Sequence, residues 1–567
     1  MVSLLGGLGL SVLLPMALAT PAKAAERVTL TYGFVEISTT VEALQQYADT
    51  GVADRELDSY LNYLNSQQRS QLRQSLQRRQ DIDPVQMSQF LYSAIGDNVL
   101  RSFGTVIRTE GRRDGAKGLR GALVLAAADP EGLSLLGVLD KFPTGSVRID
   151  AQQGFRIFNA FTGLLQDTDR ALNAIRAQSV PTALIATEIP TLSALSESGP
   201  YTVETQELSL VDRQRNRTLP TDLYLPVDAP PAPVVIISHG LAGDRKGFST
   251  VSQHLASHGY AVVALDHPGS NTTRLFDLLQ GIEQEVSDPR EFSDRPKDVT
   301  FLLDDLTRMN ESGALANRLD LSKVGIIGHS FGGYTALALS GARLDYDNLQ
   351  ANCDSDAFIF NAANPSMILQ CTALLDSGQF TEDLRDERIQ AVIALNPVTS
   401  SLFGREGFSQ IEVPSLLIAG SADPVAPALL KQIQPFTWLN AGDQTAVPDH
   451  YLALIQGGTH LYDPIDIDGA DSIALSSQLV NADTELAYSY LKALTLGFME
   501  AEINQNTAYK AALDDTSIVQ LGTQPLPLYI VSTLTEEMLK PPETVPPATT
   551  EDSPQTAPPI PVEESAQ

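Results

Sequence analysis

Beyond about residue 200, short apolar runs alternate with longer segments of mixed polarity. The apolar runs lie at 233–239, 261–266, from Val324 onward, and at 389–395, 413–419 and 451–455. Uninterrupted apolar strands between helices are typical of a parallel sheet covered on both faces. An antiparallel pair, 202–210 and 221–226, is predicted to precede them. The sequence therefore predicts an α/β fold with a mostly parallel central sheet, and such sheets bind ligands beyond the carboxyl ends of their strands.

The part of the chain before residue 200 has a different pattern. One alternating strand is predicted over 28–37, and helical periodicity follows it, with breaks at Gly51, Asn65 and Gly96. No histidine occurs before His239, so this part offers no candidate imidazole base. We predict a mainly α domain without catalytic residues of its own.

The two ends of the chain have biased compositions. Leu4–Leu18 is apolar and a small-residue cleavage pattern follows it, as in a secretory signal. No Lys or Arg precedes Lys23, so an uncleaved anchor is the alternative. From Pro541 onward there are eight prolines, five acidic residues and no Lys or Arg, which predicts disorder. The predicted organisation is a signal peptide over 1–24, a mainly helical N-terminal domain over 25–195, an α/β domain over 200–505 with an excursion at 343–388, a packed C-terminal extension over 506–539, and a disordered tail over 540–567.

The chain is strongly acidic, with 69 Asp and Glu against 38 Lys and Arg and a net charge of −31. A surface of this charge repels phosphate backbones and anionic lipid headgroups. We therefore predict no nucleic-acid partner and at most peripheral contact with a membrane. Export to the periplasm or the medium is expected from the N-terminal segment, and composition leaves the oligomeric state open.

Only two cysteines occur, Cys353 and Cys371, and both lie in the excursion at 343–388. In an exported chain they are expected to form a disulfide, which stabilises a loop of this length by about 3 kcal/mol. Two reduced thiols are the alternative. The excursion follows a central helix, so it is a candidate for part of a lid.

A serine stands at the junction between the strand that begins at Val324 and the next helix. Gly328, Ser330 and Gly332 form a G-x-S-x-G pattern in which the tight turn raises the serine above the sheet. A serine hydroxyl becomes a strong nucleophile when a histidine accepts its proton and a carboxylate orients that histidine. Ser330 is the predicted nucleophile.

The histidine and the carboxylate should follow the serine in the chain and lie beyond the carboxyl ends of strands. Only His450 and His460 follow Ser330, and His450 precedes its strand, so His460 is the predicted base. Asp423 comes just after the strand at 413–419 and is the predicted acid, with a helix-capping aspartate ahead of Pro424 as the alternative. The weaker rivals for the acid are Asp443 and Asp449.

An acyl-transfer site also needs two backbone N–H groups that stabilise the oxyanion, each worth about 3 kcal/mol of the barrier. The Phe331 amide, directly after the serine, is one predicted donor. The glycine-rich turn after the strand at 233–239 should supply the other, from Leu241 or, as the second choice, Ala242. His239 is expected to stabilise this turn by hydrogen bonding. Phosphate-loop and paired-histidine zinc motifs are absent from the sequence, so no cofactor or metal is predicted.

Four motifs in this order resemble the α/β-hydrolase superfamily, over about residues 200 to 505. They are Ser238-His-Gly-Leu241, Leu265-Asp-His-Pro-Gly-Ser270, Gly328-His-Ser-Phe-Gly-Gly333 and Gly457-Gly-Thr-His460. The resemblance is greatest to plasma-type platelet-activating-factor acetylhydrolases and dienelactone-hydrolase-like esterases, and it implies an α/β-hydrolase fold and a serine-hydrolase mechanism. The helical region resembles an uncharacterised bacterial domain found ahead of such hydrolases. Those acetylhydrolases place their acid after the strand that corresponds to 389–395, where this chain has Asn396.

The predicted function is hydrolysis of carboxylic esters through an acyl-enzyme, with a small-molecule or lipid ester as the substrate. Two alternatives stay open within enzymes, transfer of the acyl group to an alcohol and deacylation of phospholipids. A binding protein of the cell envelope that keeps the hydrolase fold without turnover is the alternative from another class.

Overall fold

The computed structural model describes residues 24–178, 192–354, 364–439, 448–462, 479–513 and 525–540. The predicted signal peptide, except for Ala24, lies outside the described residues. So do the tail from 541 onward and Asp443.

The described residues before 200 form a mainly helical region with short strands. Its strands are β1 (Arg27–Tyr32), β2 (Val35–Thr40), β3 (Arg79–Gln80), β4 (Ile107–Arg108), β5 (Leu133–Ser134) and β6 (Ser146–Asp150). Its helices are α1 (Val41–Thr50), α2 (Arg55–Leu61), α3 (Ser66–Gln77), α4 (Pro84–Tyr92), α5 (Ala94–Gly104), α6 (Ala116–Ala127), α7 (Leu135–Lys141), α8 (Ala151–Gln178) and α9 (Leu192–Ser196).

The single strand predicted over 28–37 is wrong, because this segment is a hairpin. β1 and β2 pair antiparallel, and Tyr32 stands opposite Val35 across the two-residue turn of Gly33 and Phe34. Gly33 has a φ of 58°, a left-handed conformation that glycine adopts without strain. A two-residue turn preserves the alternation of polar and apolar positions, so the sequence pattern continues through it.

The later residues form an α/β domain around one large sheet. Its strands are β7 (Val203–Asp212), β8 (Arg217–Pro226), β9 (Ala232–Ser238), β10 (Ala261–Leu265), β11 (Leu319–His329), β12 (Ile389–Leu395), β13 (Ser415–Gly420), β14 (His450–Ile455) and β15 (Leu528–Val531). Its α-helices are α10 (Ser249–Ser257), α11 (Thr272–Leu279), α12 (Glu291–Ser312), α13 (Phe331–Leu339), α14 (Tyr346–Cys353), α15 (Ser366–Gln370), α16 (Ser400–Phe408), α17 (Gln434–Leu439), α18 (Thr484–Glu502), α19 (Thr507–Leu513) and α20 (Glu536–Leu539). Two 3₁₀ turns, Cys371–Leu375 and Ser377–Thr381, and a π-helical turn, Leu429–Ile433, complete it.

In the described residues the sheet has nine strands in the order β15-β14-β13-β12-β11-β9-β10-β8-β7. The six strands β9 to β14 run parallel to one another. β8 pairs antiparallel with β10 and with β7, and β15 pairs antiparallel with β14. The predicted mostly parallel sheet is therefore confirmed. β15 comes from the segment predicted as a C-terminal extension, so the sheet continues past residue 505.

Alternate residues of each central strand enter separate cores on the two faces of the sheet. In β9, Val234 and Ile236 join one core while Val235 and Ile237 join the other. This explains the uninterrupted apolar runs, since a strand that is covered on both faces has no solvent-facing side. Ala171 and Ile175 of α8 lie in the first of these cores, so the N-terminal region packs against the sheet.

The excursion at 343–388 contains the disulfide expected between its two cysteines. The Cys353 and Cys371 sulfurs are 2.06 Å apart, and the bond joins α14 to the turn that follows α15. The Ser366 N–H donates to the Val425 carbonyl over 3.0 Å, which places α15 beside the loop after β13. A lid function for the excursion stays a prediction.

A lysine is buried in the π-helical turn without a carboxylate partner among the described residues. Lys431 is fully buried, and its Nζ contacts Ser400 Oγ at 2.9 Å and Met367 Sδ at 3.6 Å. Burial lowers the pKa of Lys431 to about 7. The unfolded chain, where a lysine has its ordinary pKa near 10.5, therefore binds more protons than the folded one between pH 7 and 10.5.

Replacing this lysine with methionine should stabilise the protein near neutral pH. We expect Lys431→Met to raise the free energy of unfolding by about 2 kcal/mol at pH 7.5, with a smaller gain at pH 9.5, because the penalty declines as pH rises above the folded pKa. Thermal unfolding at both pH values measures this. Equal gains at the two pH values would contradict the pKa shift as the cause.

Candidate active site

Ser330 occupies a strained turn between β11 and α13. Its φ is 53° and its ψ is −113°, which is rare for a residue with a side chain. The two glycines make the turn possible. A Cβ on Gly332 would lie 1.9 Å from the Ser238 carbonyl oxygen, and one on Gly328 would lie 2.0 Å from the Gly332 carbonyl oxygen. The G-x-S-x-G spacing therefore follows from close backbone approach on both sides of the serine.

The structure brings Ser330, His460 and Asp423 together from three separate loops. His460 Nε2 lies 3.0 Å from Ser330 Oγ, and His460 Nδ1 lies 2.7 Å from Asp423 Oδ2. The three residues are only 5 to 6% exposed, so the two hydrogen bonds are shielded from bulk water. Ser330, Asp423 and His460 come after the parallel strands β11, β13 and β14, respectively. Because these strands end at the same edge of the sheet, the three side chains can meet there.

Both sequence interpretations of Asp423 describe part of its geometry. Oδ1 accepts the Val425 and Ala426 N–H groups, each over 2.8 Å, as a cap does, whereas Oδ2 faces His460. Burial would raise the pKa of Asp423, but the attraction and hydrogen bond of His460, with the Ala426 amide and the Asn396 side chain, hold this pKa below its ordinary value. The carboxylate is thus kept ionised and fixed in orientation.

Asn396 is a member of the site that sequence reasoning did not assign a role. It follows β12 with a φ of 44°, and its Nδ2 donates to Asp423 Oδ2 over 2.7 Å. The Tyr462 hydroxyl donates to Asn396 Oδ1 over 3.3 Å. Asp423 Oδ2 therefore accepts hydrogen bonds from both His460 and Asn396. Its position in the chain could have indicated this role, because Asn396 directly follows a parallel strand at the edge of the sheet where Asp423 and His460 lie.

His329, directly before the serine, supports the loop that carries His460. Its ring is buried, and Nε2 donates to the His460 carbonyl over 2.8 Å. Burial, together with the nearby His460, lowers the pKa of His329 to about 3, so the ring is neutral and keeps the donating tautomer at neutral pH.

The turn after β9 lies directly against the serine. A Cβ on Gly240 would stand 3.3 Å from Ser330 Cβ, so a glycine allows the backbone to approach. Ala242 has a φ of 58°, and its N–H already donates to the Ser270 carbonyl over 2.8 Å. Among the described residues, the Leu241 and Phe331 N–H groups have no acceptor. The geometry thus favours Leu241 over Ala242 as the second donor.

A buried arginine joins the two segments that carry these amides. Arg295 donates through Nη2 to the His239 carbonyl, and its guanidinium lies 4.5 Å from the centre of the Phe331 ring. His239 Nδ1 donates to the Gly240 carbonyl over 2.7 Å, and His239 Nε2 accepts the His267 N–H over 2.9 Å. The hydrogen bonding agrees with the turn-stabilising role predicted for His239.

Asp449, the rival acid within the described residues, does not lie at the edge of the sheet where Ser330 and His460 lie. Asp449 precedes β14, at the opposite end of the strand from His460, and pairs with Lys510. In the described part of the chain, no group of three or more His, Cys, Asp and Glu side chains is arranged to hold a metal ion. No helix there combines the length and apolarity that a membrane span requires.

Comparison with known families agrees with the fold. Residues 233–345 match the family model described as alpha/beta hydrolase fold, and residues 24–150 match one described as alpha/beta hydrolase of unknown function. The sheet region therefore has the α/β-hydrolase fold that the resemblance implied.

Curated relatives are ester hydrolases by name. Cutinase 2 of Thermobifida cellulosilytica is 24% identical over 293 residues, 51% of this chain and 83% of the relative. Cutinase est2 of Thermobifida alba is 30% identical over 159 residues, covering 28% of this chain and 45% of the relative. The platelet-activating factor acetylhydrolase of Cavia porcellus is 30% identical over 135 residues, covering 18% of this chain and 31% of the relative. These similarities support a hydrolase that acts on esters.

Proposed function

We propose that this α/β hydrolase cleaves carboxylic esters by a serine mechanism, with Ser330 as nucleophile, His460 as general acid and base, and Asp423 as the residue that orients His460. The observation that carries the proposal is the pair of hydrogen bonds, 3.0 and 2.7 Å, that joins the three side chains in a buried site. The names of the cutinase and acetylhydrolase relatives support an ester as the substrate.

The reaction begins when His460 Nε2 takes the proton of Ser330 Oγ as the oxygen attacks the ester carbonyl carbon. The carbonyl oxygen of the tetrahedral intermediate becomes an anion and accepts the Leu241 and Phe331 N–H groups. When the intermediate collapses, the carbon–alkoxy bond breaks and His460 returns its proton to the leaving alcohol. Water then attacks the acyl-serine with His460 as base, which releases the acid and restores Ser330.

The two proposed oxyanion donors need little rearrangement to act. Phe331 opens α13, so its N–H points out of the helix N-terminus. The Leu241 N–H follows Gly240, which lies against Ser330, in the turn that Ser270 and Arg295 brace. Donors that are already in place stabilise the developing charge without a reorganisation cost, typically by about 3 kcal/mol each.

A fluorophosphonate probe and an ester series test the function together. We expect the probe to label Ser330 stoichiometrically, and p-nitrophenyl esters from acetate to decanoate to be hydrolysed with one preferred chain length. Peptide mapping by mass spectrometry locates the label, and product analysis with a competing alcohol separates hydrolysis from acyl transfer. A folded protein that neither takes up the label nor releases nitrophenol would contradict catalysis and favour a binding role.

We also propose that the protein works outside the cytoplasm. The Cys353–Cys371 disulfide supports this location, because disulfides persist in oxidising compartments. Fractionation of the source cells followed by immunoblotting tests this location. Detection of the protein in the cytoplasmic fraction alone would contradict the proposal.

A further inference from the structure

The mainly helical N-terminal region contacts the α/β domain at the corner between α4 and α5. Ser93 caps α5, since its Oγ accepts the Gly96 N–H over 3.1 Å. The next amide, of Ala94, donates to both carboxylate oxygens of Glu285, over 2.9 and 2.8 Å. Glu285 belongs to the loop between α11 and α12, so an acidic residue of one region completes the N-terminal cap of a helix in the other.

Ile95, the following residue, reaches the proposed oxyanion turn. It packs against a small buried apolar cluster of Ala242, Leu278 and Val286, and Leu241 and Leu275 pack against the same cluster. The N-terminal region therefore packs against the same cluster as Leu241, whose N–H is proposed to bind the oxyanion.

The α/β domain braces the backbone of this turn through hydrogen bonds, one of them from His239 Nδ1 to the Gly240 carbonyl. The Ala242 N–H donates to the Ser270 carbonyl, and the Thr272 N–H donates to the Gly243 carbonyl over 3.0 Å. Leu241 lies one residue before Ala242, and its half-buried side chain packs against the cluster that Ile95 also contacts. The hydrogen bonds hold the backbone of the turn, and this packing holds the Leu241 side chain.

We infer that Ile95 is a positioning residue for the hydrolase site, and that the N-terminal region serves to hold the Leu241 amide in place. This inference rests on the proposed function. Oxyanion stabilisation depends on donors that are fixed before the reaction, and a displacement of about 1 Å can cost a hundredfold in rate. A region without catalytic side chains of its own thereby contributes to turnover.

The experiment compares Ile95→Ala, Ile95→Val and a control, Val85→Ala, in the full chain. Val85 lies on α4 and is 58% exposed, so the control removes a similar side chain from the same region without touching the turn. With p-nitrophenyl acetate we expect Ile95→Ala to lower kcat about tenfold with KM within twofold of the wild-type value. Ile95→Val should recover most of the loss, and Val85→Ala should match the wild type.

Hydrogen exchange supplies a readout that does not depend on activity. The Ala242 and Thr272 amides report the order of the turn through their hydrogen bonds, and we expect both to exchange about tenfold faster in Ile95→Ala. If the wild type fails to hydrolyse esters, the proposed function is rejected, while the exchange measurement still tests the packing. Unchanged exchange, an unchanged kcat, or a raised KM with normal kcat would each overturn the inference.

Glu285→Ala is the second variant, since it removes the anchor of Ala94 without opening a cavity beside Leu241. We expect kcat to fall severalfold and the same two amides to exchange faster. Wild-type kcat and exchange in this variant, with folding verified by circular dichroism, would also overturn the positioning role.

Discussion

Replacing Ser330 with alanine should lower kcat for p-nitrophenyl esters by about 10⁶-fold, leaving only the small acceleration that substrate binding and the oxyanion donors supply. The loss is this large because the serine, the histidine and the oxyanion donors act as a unit, and removing the nucleophile makes the base ineffective. Steady-state kinetics with purified enzyme, supplemented by a burst experiment to detect trace wild-type protein, measures the effect.

The fold should survive this change. Alanine keeps the side-chain carbon that the φ of 53° already accommodates, so the turn is neither relieved nor further strained. Ser340→Ala is a matched control, because Ser340 is a buried serine at the other end of α13 whose hydroxyl bonds only the Ala336 carbonyl within the described chain. Activity of Ser330→Ala comparable with that of Ser340→Ala would reject Ser330 as the nucleophile.

Asp423→Asn should reduce kcat/KM by about 10⁴-fold, less than the loss of Ser330 or His460. Oδ1 accepts the Val425 and Ala426 amides, so the new NH₂ group is forced into the position of Oδ2. There it faces the Asn396 NH₂ and His460 Nδ1, where an acceptor is needed. His460 is then driven to the tautomer with a proton on Nε2, which cannot accept the Ser330 proton.

Asp449→Asn is the control for this carboxylate. Asp449 is 43% exposed and pairs with Lys510 away from His460, so we expect activity within about twofold of the wild type. Asp443, the other rival, lies outside the described residues and can be tested by the same substitution. Greater damage from Asn at 443 or 449 than at 423 would show that the acid has been assigned to the wrong residue.

Much of the α/β domain could be predicted because its signals are local in the chain. The run at 389–395 coincides with β12, and Gly328 and Gly332 mark the serine turn, because the contacts around them exclude a side chain. The chain order of serine, acid and histidine, combined with the edge rule, selected Asp423 and His460, which the structure brings to Ser330. Periodicity failed at Gly33, where a two-residue turn leaves the alternation intact.

The type of sheet, the serine turn and the residues able to meet at one edge could be predicted from the chain alone, since each depends on neighbours in the chain or on the direction of a strand. The folded structure was needed to show that Asn396 binds Asp423, that His329 donates to the His460 carbonyl, and that Ile95 and Leu241 pack against one apolar cluster. The members of these three pairs are 27, 131 and 146 positions apart in the chain. Which residues form such pairs depends on packing in three dimensions, so the pattern of polar and apolar residues along the chain does not predict them.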